Sequence, residues 1–386
     1  MNIQRAKQLL SRDGFDGLLA SSPENVLYFT GFPATLHARN RIFFLLKNES
    51  PVVALLTPDR PVQVVFKKSG LAVAERFAFT KAFTTYTSQD AGFVGDVETT
   101  VSGMACIKTV GDLLVEDSLS RGKIGIEESM PAFFLDALRG RFPDAKFTYG
   151  SKLFSEIRMV KMPEEIGRLR RATMMCEEAL GSALASIREG VTETQIQTAF
   201  KQYLVSNGGD WTNTKVAAGP LSHVFSHQGT DYPVKKGDIV LFNVGASYGG
   251  YACDIARVAV VGGRLTPEAQ RMFETLRDAQ RAAVKKVRPG LPVSDVFKVA
   301  VDHVQNAGYA NYSRDFVGHG VGVELHEEPF LSDRRSWRFE PNMVFTVEVP
   351  NYDAKLGGFN TEDMILTTSE GYEELSTVSR DLHSVG

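Results

Sequence analysis

Twice along its length the chain runs a pair of amphipathic helices into a hairpin pattern, and this repeated order narrows the fold more than any other feature. Pro163-Glu-Glu-Ile opens a helix over about 162–188, with Ile166, Leu169, Ala172, Met175 and Ala179 at helical spacing. Gly190 follows it, and Thr192 is placed to cap a second helix over about 192–207. A later pair, about 266–287 and 293–306, has the same layout, with Pro267 at its start. Strands Asp238–Ala246 and Tyr251–Val261 follow the first pair; strands Met343–Val349 and Asn360–Thr367 follow the second. The order predicts an α+β domain of two related halves, although residue identity between the halves is weak.

Ahead of this lies a stretch of alternating helix and strand. Ile3, Ala6, Leu9 and Leu10 share one face of a helix over 2–12, stopped by Gly14. Asp16–Ala20, Val26–Thr30, Ile42–Leu46, Val52–Leu56 and Lys123–Glu127 read as strands, and 110–120 and 131–141 as helices. This predicts an α/β unit over 1–152, followed by the α+β unit over 153–386. The balance of 43% hydrophobic and 23% charged residues supports an ordinary globular core. A net charge of -3 gives no footprint for nucleic acid or an anionic membrane. No apolar run approaches the roughly 18 residues that span a bilayer, and charges break up the first residues as no secretory signal allows. Cys106, Cys176 and Cys253 are odd in number and far apart, which fits a reducing compartment. A cytoplasmic protein is expected.

The candidate chemistry lies in the last third of the chain. Asp254, His319, Glu348 and Glu362 each sit where a metal ligand is plausible, and Asn243 stands where a further carboxylate would complete the set. If the turn at Tyr248-Gly249-Gly250 centres between Tyr248 and Gly249, Asn243 faces Asp254 across the hairpin. A loop centred on Lys355 would likewise oppose Glu348 to Glu362. Opposed residues have Cβ atoms about 4.5–5.5 Å apart, close enough to share a small cation. Two carboxylates that near on a buried face repel unless a cation joins them. Glu348 follows Met343-Val-Phe-Thr-Val347, so its charge needs a partner. His319, between Gly318 and Gly320, adds an imidazole, and the mixed set suits Mn, Co, Zn or Fe(II).

These residues resemble the creatinase/prolidase/aminopeptidase P group, the M24 "pita-bread" enzymes. The likeness runs nearly the whole chain. It is carried by Asp16-Gly-Leu-Leu-Ala with Pro23-Glu-Asn-Val-Leu-Tyr-Phe-Thr-Gly-Phe32, by Lys236-Gly-Asp-Ile-Val-Leu-Phe-Asn-Val-Gly-Ala246 and by Gly318-His-Gly-Val-Gly-Val-Glu-Leu-His-Glu-Glu-Pro329. The resemblance implies a creatinase-type N-terminal domain, a pita-bread catalytic domain with internal pseudo-symmetry, and a homodimer. It also implies five metal positions, which fall on Asn243, Asp254, His319, Glu348 and Glu362, with Glu348 as general base. His227, or its rival His223, and His326 would position the substrate. Asn243 replaces a carboxylate, Asn342 a common Gly, and Asn360 an Arg frequent in Xaa-Pro peptidases. The expected function is metal-dependent hydrolysis of a C–N bond in a small or Xaa-Pro-like peptide or amide, with one or two divalent ions. The alternative is a creatinase-like, mononuclear or metal-free enzyme, hydrolase or lyase, acting on a small metabolite. A binding module that merely kept the fold is disfavoured by the surviving ligand set.

Overall fold

The computed structural model describes residues 1–33, 51–87, 98–224 and 228–386. These form two compact units, Met1–Arg158 and Met159–Gly386. The strand expected over Ile42–Leu46 lies outside the described residues.

The first unit opens with α1 (Ile3–Asp13), capped by the Asn2 side chain, which accepts from the Arg5 N–H, and closed by Gly14 at φ 64°. Then come β1 (Gly17–Ala20) and α2 (Pro23–Thr30). The latter corrects the strand expected over Val26–Thr30. Ser22 accepts from the Asn25 N–H, Pro23 takes the first turn, and Gly31 at φ 73° ends the helix. Every residue from Asn25 to Thr30 is buried, so no solvent-facing stripe marked the run as helical. β2 (Val53–Leu56), β3 (Gln63–Lys67), α3 (Leu71–Phe77), β4 (Ala82–Tyr86), α4 (Glu98–Glu116), β5 (Lys123–Ile126), α5 (Ala132–Arg141), β6 (Lys146–Tyr149) and α6 (Ser151–Met159) follow. The described strands form one mixed sheet, ordered β4-β3-β2-β1-β5-β6. Leu19, Val53, Val65, Ile124 and Ile126 of the sheet share a core with Val110, Leu114, Phe134 and Leu138 of α4 and α5.

The second unit contains the repeated order. The helices α7 (Pro163–Ser186) and α8 (Glu193–Ser206) precede β7 (Asp210–Ala218), β8 (Ile239–Tyr248), β9 (Tyr251–Ala252) and β10 (Ile255–Val261). The helices α9 (Pro267–Lys286) and α10 (Val293–Asn306) precede β11 (Val344–Glu348), β12 (Asn351–Asp353), β13 (Gly357–Phe359), β14 (Glu362–Thr367), β15 (Tyr372–Glu374) and β16 (His383–Val385). Both halves feed one sheet with the path β11-β14-β10-β8-β7, to which β9, β15 and β16 attach. Along β11 and β14 alternate residues part company. Phe345, Val347 and Ile365 join Met272, Phe273 and Leu276 of α9 in the core, while Glu348 and Glu362 face the other way. Asn342, just before β11, adopts φ 69°, a backbone that glycine or Asn takes with least strain.

A candidate metal centre

The site is built on one transverse row of the sheet. Lys215 pairs with Asn243, Asn243 with Ala256, Ala256 with Glu362, and Glu362 with Glu348. Directly paired residues share a face, so the row carries Lys215, Asn243, Glu362 and Glu348 on one side across the whole sheet path. The opposition of Glu348 to Glu362 is as expected. That of Asn243 to Asp254 is not: Asn243 faces Ala256 instead. The turn is Gly249-Gly250, with φ 56° and 85°, and Tyr248 pairs with Tyr251. A two-residue turn with both central φ positive matches strand twist, and glycine is at home there, so the register moves by two residues. An even shift preserves the face, and Asp254 remains a diagonal neighbour of Asn243. The Asn213 amide bridges the two. It donates to Asn243 Oδ1 and also hydrogen-bonds Asp254.

The loop between α10 and β11 supplies the imidazoles. His319 is pinned against β11, its N–H reaching Thr346 Oγ1 at 3.3 Å and its carbonyl accepting from the Thr346 N–H at 2.8 Å. A Cβ on Gly318 would lie 2.0 Å from the Thr346 carbonyl oxygen, and one on Gly320 2.3 Å from that of Glu328. The flanking glycines are thus required by close backbone approach. His319 Nε2 lies 3.6 Å from Glu362 Oε1, and its ring centroid is 4.0 Å from that of His326. Lys161 and Glu327 form a buried ion pair of 2.7 Å, which anchors the segment next to His326.

Two overlapping sets, Asp254–His319–His326 and His319–Glu348–Glu362, each bring their ligand atoms within 4.8 Å of one another. Asp254 Oδ1 and Glu362 Oε1 are buried with no hydrogen-bond partner among the described residues. Orphaned buried carboxylate oxygens converging with an imidazole fit a divalent cation. His227 lies outside the described residues, and His223, its rival, belongs to neither set.

Burial, then the charges of Glu362 and Glu348, hold the Asp254 carboxyl far above the usual range. Burial, then Glu362, pushes Glu348 up to about 7 from an ordinary 4.5. Burial lowers the His319 imidazole, but the Glu362 carboxylate 3.6 Å away outweighs it and its pKa is raised. Burial, then His319, lowers His326 to about 4, so it is neutral at neutral pH. A raised carboxyl pKa means the fold binds that proton more tightly than the unfolded chain does. The resulting stability is full below about pH 4.5 and is lost as pH rises through about 7. Metal-stripped protein is therefore expected to lose about 3 kcal/mol from Glu348 alone between pH 4.5 and 7.5. Urea midpoints at pH 5 and 7.5 check this. A metal-free midpoint that is higher at 7.5 would contradict it.

Comparison with known proteins now bears on this geometry. The model of metallopeptidase family M24 matches residues 167–369, more than half of the chain. The chain belongs to metallopeptidase family M24. The creatinase/prolidase N-terminal domain matches residues 2–160. The Xaa-Pro dipeptidase of Pyrococcus horikoshii is 30% identical over 261 residues, 67% of this chain and 74% of that protein. The Xaa-Pro dipeptidase of Lactobacillus delbrueckii subsp. lactis is 26% identical over 388 residues, 99% of this chain and 98% of that protein. A crystal structure of a dipeptidase from Pyrococcus horikoshii superposes with a TM-score of 0.83 at 25% identity, covering 100% of both chains. The expected fold, a creatinase-type domain joined to a pita-bread catalytic domain, is the one found. Metal-dependent peptide hydrolysis follows from membership of this M24 family, and relatives that are peptidases by name do not favour the creatinase-like alternative. No helix among the described residues is long and apolar enough to cross a membrane.

Asn213 and Lys215 escaped the sequence reading, and Asn360 entered it only as a departure from the family pattern. Asn360 donates to Glu348 Oε2 at 3.0 Å and reaches Glu362 Oε2 at 3.5 Å. Asn213 fixes Asn243, and Lys215 brings a positive charge into the row. Burial lowers Lys215 to about 8, which leaves it mainly protonated at neutral pH. Asn213 and Lys215 lie on β7, a strand the hairpin patterns did not include. Pairing with Asn243 was the signal, and it needed the sheet order.

Proposed function

We propose that this chain is an Xaa-Pro dipeptidase acting on short peptides, with Asp254, His319, Glu348 and Glu362 holding a divalent ion of the Mn, Co, Zn or Fe(II) class. The observation that carries the reading is the convergence of buried ligand atoms, two of them oxygens without a hydrogen-bond partner among the described residues. When bound, such an ion supplies Lewis-acid polarisation of the scissile carbonyl and acidifies a water. Glu348, directly opposite Glu362 on the ligand-bearing face, takes the proton from the attacking water and passes it to the leaving nitrogen. His326, neutral and partly exposed beside His319, orients the substrate carbonyl through one ring nitrogen. The Asn360 amide holds the Glu348 carboxylate in place.

The three buried free thiols are consistent with a cytoplasmic setting, and homodimerisation is checked by light scattering. Chelation followed by re-addition of each metal, with turnover measured on Xaa-Pro and Xaa-Ala dipeptides, tests the activity. Stripping is expected to lower kcat/KM by at least about 10³-fold, since metal polarisation supplies several kcal/mol. Full turnover by the stripped protein would overturn the reading.

A further inference from the structure

The transverse row that holds Glu362 and Glu348 begins with a lysine. Lys215 on β7 pairs directly with Asn243 on β8, so both side chains leave the sheet on the ligand-bearing face. Lys215 is buried, and its Nζ lies 4.5 Å from the centroid of the Tyr352 ring. Glu348 is the charge that acts on it across the site. Asn243 is oriented to match: its Oδ1 accepts from Asn213, and its Nδ2 points at Glu362 Oε2, 3.3 Å away. The amide therefore presents a donor to the cluster, where a metal ligand needs an acceptor.

Charge makes the same point. Asp254, Glu348 and Glu362 bring three negative charges to the cluster and Lys215 returns one positive charge. Arg314 also acts on Glu348, so one divalent ion already meets the remaining negative charge, whereas two would leave a large excess of positive charge in a buried site, which is costly. We propose that Lys215 is a positioning residue that serves as a fixed cation of this centre, and that with Asn243 it restricts the site to a single divalent ion held by Asp254, His319, Glu348 and Glu362. The inference rests on the metal-dependent reading above. It deepens that reading by assigning the ion count to two residues of the sheet.

The test is calorimetric titration of metal-stripped full-length protein with Mn²⁺, backed by metal analysis after dialysis. The wild type is expected to bind one ion per chain. Lys215→Arg, which keeps the charge, is expected to do the same. Lys215→Met removes a like charge from the ion's surroundings and is expected to tighten that ion by at least about 10-fold. The double variant Lys215→Met/Asn243→Asp is expected to bind two ions per chain, and Asn243→Asp alone still one, because the new carboxylate pairs with Lys215. Two ions in the wild type, or weakened or unchanged affinity in Lys215→Met, would overturn the inference even if the double variant fails to fold. Peptidase activity that needs metal, with two ions bound, would sink the Lys215 role alone. No binding with undiminished activity would sink the metal-dependent reading itself.

Discussion

Glu348→Gln is expected to lower kcat by about 10²–10⁴-fold at saturating metal, and to make the metal-stripped protein more stable at pH 7.5. The two effects have one cause. Glu348 ends β11 directly opposite Glu362, inside a site where burial and its neighbour's charge oppose ionisation. The folded chain tolerates the ionised form only at a cost of about 3 kcal/mol above neutral pH. Gln has the same shape, keeps an oxygen for a cation and carries no charge. It relieves the repulsion with Glu362 but cannot take a proton from water. Gln is also a weaker ligand, so bound metal must be quantified and turnover expressed per loaded site. Stopped assays on an Xaa-Pro dipeptide and urea unfolding of stripped protein read the two outcomes. Wild-type kcat in loaded Glu348→Gln would remove the proton-transfer role. Lower stability in the stripped variant would show that Glu348 is there for the fold.

The sequence made the acidic half of this site legible because an apolar strand with one carboxylate is anomalous. Met343–Val347 leads straight into Glu348, and Glu362 opens Asp363-Met-Ile-Leu. The opposition of the two followed from a symmetric loop. Asn243 and Asp254 were found on the right face but in the wrong register, because Tyr248-Gly249-Gly250-Tyr251 offers two turn centres and only the backbone chooses Gly249-Gly250. The α2 helix was missed for a related reason. A short run buried on every side carries no period, and its Ser22–Pro23 start weighed less than Val26–Thr30 looked like strand. Lys215 was invisible for a different reason. Its importance comes from β7 lying next to β8, a neighbour relation that no local pattern specifies.

On the reverse of that row lies the feature whose loss should cost the fold most. Arg257 and Asp363, one residue on from Ala256 and Glu362, point to the opposite face and form an ion pair of 2.6 Å with both side chains 1% exposed. Arg257 also donates to the carbonyls of Ala256 and Glu362, each at 2.8 Å, and to those of Val378 and Ser379. Asp363 accepts from Gln280 at 2.8 Å and from Arg380. Asp363→Ala leaves a cavity and takes the carboxylate away from the buried Arg257 guanidinium, while Arg380 keeps Glu374 and the Gln280 amide keeps the Val347 carbonyl. An uncompensated buried charge of this kind is expected to destabilise the catalytic unit by about 3–5 kcal/mol. The exposed pair Arg170–Glu373 is the control, and Glu373→Ala is expected to change stability by less than about 1 kcal/mol. Urea unfolding of both variants checks the contrast, and equal shifts would refute it. Because Arg257 grips the Glu362 carbonyl from behind, Asp363→Ala that remains folded at low temperature is also expected to bind Mn²⁺ about 10–100-fold more weakly. Undiminished metal affinity in folded Asp363→Ala would mean that the ligand row keeps its geometry without support from the far side of the sheet.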